Sequence, residues 1–327
     1  MEEKARRMKI RISRTARNIA QSLAALIVVA LVIYFFRTQF IKNWDQLQNV
    51  RFDLNYAFLT LSLICIMLSY LVNTYAWQYG VNLFAAGRKF AFTESVGMVN
   101  TTQLTKYIPG KVWGYAMQMV LVDRKSLPVS TVLYVNLLLA LTNSFIALLV
   151  GGVYFMLSSL LVPHYLAISA TAALLVIYLF FFLFNARFFA LLLKVFERIF
   201  KRQIRFCEMG LSDMMRIQLL CAVSAVLFGL SAIFCCGGIG FRITPGVAWS
   251  VSSGFLFSDT VGFLAFFMPG GVGVRESLFY FMLRGHGAGS LALILPIAMR
   301  LVSMLVDGIL GVVGLIYLRK YKKKGAQ

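Results

Sequence analysis

The sequence predicts an all-α polytopic membrane protein with about six spanning helices and two re-entrant helical hairpins, arranged as an inverted internal repeat. Three observations carry that expectation. Of 327 residues 60% are hydrophobic and only 13% charged, and the mean hydropathy of +0.80 exceeds that of a soluble domain of this size. Apolar runs long enough to cross a bilayer recur along the chain. Two stretches between them are broken by Pro-Gly, at Pro109 and at Pro269, and carry charge where lipid would reject it.

Residues 1–18 carry Lys4, Arg6, Arg7, Lys9, Arg11, Arg14 and Arg17, and an apolar run follows at 19–36. A cleaved signal peptide begins similarly. This run is longer than a signal core and ends in Phe-Phe-Arg-Thr-Gln-Phe without a small-residue cleavage pattern, so it reads as a first span with its N-terminus inside. Residues 37–53 form a mixed loop and 54–79 a second span, with Trp44, Trp77 and Tyr79 suited to the interfacial belt. Arg88 and Lys89 mark the return to the cytoplasm. Residues 94–120 hold Thr101, Thr102, Gln103, Lys106, Lys111 and the Pro109-Gly110 break, too polar for a straight lipid-facing helix, and read as the first re-entrant hairpin.

A third span is expected at 129–157 and a fourth at 166–184, joined by an external loop without formal charge. Residues 187–216 are strongly basic. The apolar spacing of Phe188, Phe189, Leu192, Val195, Phe196 and Ile199 suits either an amphipathic helix on the inner surface or a helix packed under the bundle. A fifth span at 217–236 leads through a short external turn containing Arg242 to the second hairpin, 247–283. The helix entering it should break in the stretch 266–280, where Pro269 lacks a backbone donor and Gly270, Gly271 and Gly273 cost backbone entropy. The sixth span, 291–318, ends in Arg319, Lys320, Lys322, Lys323 and Lys324. The organisation is therefore a basic cytoplasmic segment at 1–18, one transmembrane domain at 19–318 and a basic cytoplasmic tail at 319–327, in the plasma (inner) membrane.

Lys and Arg outnumber Asp and Glu by 32 to 12, a net charge of +20. With this hydropathy the excess reads as loops facing anionic lipid, and no nucleic-acid partner is expected. The cysteines, Cys65, Cys207, Cys221, Cys235 and Cys236, lack metal-ligand spacing and read as small packing residues. His164 and His286 are the only histidines, which disfavours a His-based metal site or a Ser-His-Asp triad. No catalytic residue, metal or cofactor is expected.

Shifting the chain by 160 residues lays Pro109 on Pro269, Gly110 on Gly270, Val112 on Val272 and Gly151 on Gly311. It also lays 54–79 over 217–236 and 129–157 over 291–318, giving repeat units of 54–157 and 217–318 that enter from opposite sides. Chance matching of apolar segments is the competing account. Such repeats place broken helices around a mid-membrane site.

Charges within the hairpins or the last span are Glu94, Lys106, Lys111, Asp259, Arg275, Glu276, Arg300 and Asp307. Each ionised group at a helix centre costs about 2.5–3.5 kcal/mol on the insertion scale, so these should pair with one another or with a polar ligand. Arg300 and Asp307 share a helix face, and Arg275 and Glu276 open the helix after the glycines, where backbone N–H groups favour an anion. Lys111, Arg275, Glu276, Arg300 and Asp307 are thus candidates for binding a lipid head group. The alternative is that Arg275, Glu276, Arg300 and Asp307 only neutralise one another to hold the hairpin. Glu94 and Lys106 read as interfacial, and Asp259 as a helix cap.

Tyr-Ile-Pro-Gly-Lys-Val-Trp-Gly at 107–114, followed by Pro-Gly-Gly-Val-Gly-Val-Arg-Glu at 269–276 and an Arg in the next span, resembles the flippase-like transmembrane region of lysylphosphatidylglycerol synthases. The resemblance covers 19–318, and that family includes stand-alone members associated with envelope glycan assembly. It implies a bundle that moves or holds a phospholipid or polyprenyl-phosphate head group. It also implies that Pro109, Gly110, Lys111, Pro269, Gly270, Gly271, Gly273, Glu276 and Arg300 are motif positions. Full-length synthases carry a soluble aminoacyl-transferase domain, whereas this chain ends seven residues after Lys320, so no aminoacylation is expected. Translocation of a lipid or lipid-linked envelope precursor is the first functional expectation. The second is a non-transporting lipid-binding partner of a glycosyltransferase or aminoacyltransferase. A polyprenyl-phosphate transferase is a weaker third, because no Asp-x-x-Asp pair is present to hold a metal.

Overall fold

Asn55 opens the first helix of a computed structural model by accepting at Oδ1 from the backbone N–H groups of Ala57 and Phe58, at 3.1 and 3.2 Å. The structure describes residues 53–85, 89–104, 129–158, 163–185, 187–189, 209–265, 273–284 and 291–324, together with 41, 117, 118 and 271. Their helices are α1 (Tyr56–Leu83), α2 (Phe92–Gln103), α3 (Val129–Ser158), α4 (His164–Leu183), α5 (Leu211–Gly238), α6 (Pro245–Leu264), α7 (Val274–Arg284) and α8 (Leu291–Lys324). No strand occurs among the described residues. Within α1, α3, α4, α5 and α8 lie five stretches long and apolar enough to cross a bilayer, so the chain is a multi-pass helical membrane protein. The predicted span at 19–36 lies outside the described residues.

The second to the sixth of the expected spans appear near their predicted limits, and one boundary, the start of the fifth, needs correction. Helix α5 begins at Leu211, so Asp213 and Arg216 belong to its first turns and not to the basic connector. The carboxylate of Asp213 suits the positive end of the helix and accepts a 2.6 Å hydrogen bond from the Tyr79 hydroxyl of α1. Arg216 donates to that same hydroxyl at 2.9 Å. Most of the connector falls outside the described residues, but Phe189 is 2% exposed and stacks edge-on against Tyr134 of α3, 4.7 Å between centroids. At that position the chain packs into the bundle.

Between helices in lipid there is no gain from hiding apolar surface, so close contact and hydrogen bonds must hold them together. Helices α1 and α5 run antiparallel with small residues at their seam. Ser62 Oγ donates to Ser231 O at 2.7 Å, and Ser69 and Ser224 exchange bonds, each hydroxyl reaching the other's carbonyl at 2.9 and 3.0 Å. Helix α2 seats on α8, where Gly311 faces Leu104 and Gly314 faces Thr101. Helix α6 seats on α3, where Gly151 faces the Phe257 ring.

Helices α6 and α7 form a hairpin, with Gly262 against Arg275 and Gly254 against Phe279 and Met282. Gly271 permits the turn twice over. Its φ is +67°, and a Cβ there would lie 2.8 Å from the carbonyl oxygen of Gly262. Two apolar cores result. One gathers Trp77, Met98, Tyr134, Phe181 and Met214, and the other Ile66, Phe228, Phe255, Phe279 and Met299.

Candidate functional site

Between the two cores lies a cavity of about 340 Å³ that draws its walls from α1, α2, α3, α5, α6, α7 and α8. Its position follows from where helices stop. Helix α2 has 12 residues, about 18 Å, too short for a hydrocarbon core of roughly 30 Å, and α6 turns back at Leu264. Helix α2 ends beside Gly311 of α8, and the C-terminal half of α6 is linked to α8 through Arg275.

One side of the cavity is ionic. Arg275 Nη1 lies 2.6 Å from Asp259 Oδ1, its Nη2 donates to Ser303 Oγ at 3.3 Å, and its Cζ sits 4.8 Å from the centre of the Phe255 ring. This one side chain joins α6, α7 and α8. Ser303 in turn donates to Met299 O at 2.7 Å. Glu276 reaches back from the first turn of α7 to accept the Gly273 N–H at 2.6 Å, so a protein carboxylate occupies the helix end where sequence reasoning placed an anion. Its other oxygen lies 3.7 Å from Arg300 Nη1, a looser ion pair. Asp307, one face along α8 from Arg300, is 2% exposed. Tyr70 of α1 lines the same cavity.

The opposite side carries amides. Asn73 accepts from Asn143 Nδ2 at 3.4 Å and donates to Ser224 Oγ at the same distance. Asn136 donates to Gln118 Oε1 at 2.7 Å, and Gln118 donates to Thr102 Oγ1 at 2.9 Å. Asn100 donates to Thr74 Oγ1 at 3.3 Å. These links cross from α1 to α3, α5 and α2.

Of the predicted head-group residues, Arg275, Arg300 and Asp307 line the cavity, while Glu276 stands behind them as a cap and partner of Arg300. Lys111, Pro109, Gly110, Pro269 and Gly270 lie outside the described residues; Gly271 and Gly273 sit in the α6–α7 turn with φ of +67° and +88°. Asp259 corrects its assignment as a cap: it lies in the C-terminal half of α6, where a carboxylate is unfavourable to the dipole, and it faces Arg275 across the hairpin instead. Glu94 sits in the first turn of α2 and accepts the Ala91 N–H at 3.2 Å.

The amides were missed altogether. A signal existed, since Asn136 and Asn143 are spaced to share one face within an otherwise apolar run. Among the described residues no cluster of His, Cys, Asp and Glu could hold a metal ion.

A family model described as the lysylphosphatidylglycerol synthase TM region matches residues 22–311, most of the chain. No match is found among curated proteins.

Proposed function

The chain belongs to the family of the lysylphosphatidylglycerol synthase transmembrane region, and from that premise we propose that it translocates a phospholipid or polyprenyl-phosphate-linked precursor by passing the head group through this cavity while the tails stay in lipid. The observation that carries the reading is a hollow lined in part by ionic groups and amides, lying between two apolar cores in a membrane bundle. A head group crossing hydrocarbon loses its hydrogen bonds to water, and such a lining replaces them. Arg300, in a loose pair, is the first contact for phosphate. Arg275 keeps the hairpin in place beside it, and Asp307 answers positive charge. No covalent chemistry is assigned to the protein.

In this reading the α6–α7 hairpin and the segment begun by α2 are re-entrant, and the halves form an inverted repeat. Supporting it, α1 and α5 are each 28 residues long and pair antiparallel through the reciprocal Ser69–Ser224 bonds. Helix α2 packs at Gly311 of α8 as α6 packs at Gly151 of α3, the two glycines that coincide in the sequence repeat. A two-fold axis in the membrane plane would exchange these helix pairings. Arg216 and the basic end of α8 lie towards the same end of the bundle, where Gly97 of α2 meets Leu318. By the positive-inside rule that end faces the cytoplasm of a plasma (inner) membrane, with both termini on that side.

The test is scrambling of labelled lipids in proteoliposomes, read by a membrane-impermeant quencher. Anionic or polyprenyl lipid should exchange with wild type and slow with Arg300→Ala and Asp307→Asn. Absence of exchange for every anionic, aminoacylated and polyprenyl lipid overturns the reading. One feature favours a second role, presentation of lipid to a glycosyltransferase or aminoacyltransferase: α7 is tied by Arg275 to α6 and α8, and by the Tyr154 hydroxyl, which donates to Met282 O at 2.8 Å. That role calls for co-purification with such an enzyme, whose activity survives Glu276→Gln and Arg300→Ala.

A further inference from the structure

The amide-lined side of the cavity has no part in holding a phosphate, yet it is built as carefully as the ionic side. Its polar groups come from four helices and carry no formal charge: Asn73 on α1, Asn100 on α2, Asn136 and Asn143 on α3, Ser224 on α5. Both Nδ2 hydrogens of Asn143 are engaged, at Asn73 and at Leu139 O, 2.9 Å away. Its Oδ1 accepts nothing among the described residues, and neither does Oδ1 of Asn136, whose amide donates to Gln118. On the same wall Trp77 is 1% exposed, and its indole N–H has no acceptor among the described residues. Carboxamide acceptors therefore face the cavity, with the buried indole of Trp77 behind them.

Ligand chemistry can be narrowed from that inventory. An ammonium donates only and is matched by carboxylates; the two that line this cavity, Asp259, which faces Arg275, and Asp307, belong to the ionic side and not to the amide links. A hydroxyl both donates and accepts, and neutral amides both donate and accept, so a row of amides suits a row of hydroxyls. Aromatic surface from Tyr70, Trp77 and Phe228 beside the amides suits the C–H faces of a ring. Resting on the reading of the cavity as a lipid head-group site, we infer that the head group is a polyol phosphate: its phosphate faces Arg300 and its hydroxylated, uncharged portion lies along Asn73, Asn136 and Asn143. The glycosyl or cyclitol unit is what the amide wall selects.

Matched lipid pairs test this. Binding to the purified full chain in detergent is measured by native mass spectrometry for phosphatidic acid against phosphatidylinositol, and for a polyprenyl phosphate against its hexosyl derivative; phosphatidylethanolamine supplies the amine. In whichever tail class binds, the polyol member should bind roughly ten-fold tighter than its bare phosphate, the equivalent of one or two well-made hydrogen bonds. Asn143→Ala and Asn136→Ala should erase that preference while the bare phosphate binds as before, which also shows that the variants are folded. Arg300→Ala should weaken both members of the pair alike. Equal binding of bare and polyol phosphates, or tightest binding of the amine lipid, overturns the polyol assignment and leaves the lipid-handling reading standing. Failure of every lipid to bind wild type overturns both.

Discussion

Arg275 is the tie that holds the α6–α7 hairpin to α8, and cutting it should have a measurable signature. The guanidinium is 10% exposed and Asp259 is 35% exposed, with 2.6 Å between Nη1 and Oδ1. Removing one partner of a buried pair costs about 3–5 kcal/mol. Water reaches part of the Asp259 carboxylate, so Arg275→Ala belongs at the lower end, about 3 kcal/mol. Asp259→Ala should cost less, about 2 kcal/mol, because Arg275 keeps Ser303 and the Phe255 ring. With both side chains gone no charge is stranded, and the double variant should lose about 3.5 kcal/mol, a coupling of about 1.5 kcal/mol. Unfolding of wild type, the single variants and the double variant in mixed sodium dodecyl sulfate micelles measures that cycle. A coupling below about 0.5 kcal/mol, the scale of exposed pairs, would refute the description of this contact as a buried clamp.

Backbone contacts give three further expectations for the same unfolding assay. Gly271→Ala should destabilise by about 2–4 kcal/mol, since alanine is strained at a φ of +67° and its Cβ would meet the Gly262 carbonyl oxygen at 2.8 Å. On α8, Gly311→Ala presses on the flexible end of Leu104 and should cost about 1 kcal/mol, whereas Gly314→Val meets the backbone of Thr101 and Val96 at 3.2 Å and should cost about 3 kcal/mol or more. Equal effects at the two glycines would contradict the seating of α2. Ser224→Ala removes one of the reciprocal bonds at the α1–α5 seam and should cost about 0.6–1.5 kcal/mol, with α1 and α5 still paired.

What the sequence revealed and what it hid divide along physical lines. Long apolar runs carry their own periodicity and length, so α1, α3, α4 and α8 could be read locally, and the turn after α6 was announced by Pro269 and its glycines. The start of α5 was hidden because Asp213 and Arg216 look like loop charges until Tyr79, far away in the chain, is seen between them. Asp259 was misread for a similar reason. Its partner lies beyond the hairpin turn, and only the fold brings the two together. The amides were invisible for a different cause: a few carboxamides barely lower the hydropathy of a long run, and their meaning arises only when Asn73 meets Asn143 and Asn136 meets Gln118 across helices.

The layering also bears on how the bundle can move. Each apolar core is confined to one part of the bundle, and only the paired helices α1 and α5 contribute heavily to both. Their seam is made of serines, whose bonds shift at little cost, and of small residues that allow close sliding. On the α6–α7 side the contacts are discrete and ionic, with Arg275 reaching across to Ser303 and Asp259. On the α2 side they are smooth, with Gly311 and Gly314 facing Leu104 and Thr101. A rocking motion between the cores would therefore leave the hairpin fixed to α8 and let α2 travel along the glycine face. Cross-linking tests this directly: a cysteine pair joining position 97 to 318 should block lipid exchange, and exchange that continues with the link formed would refute travel of α2 along α8.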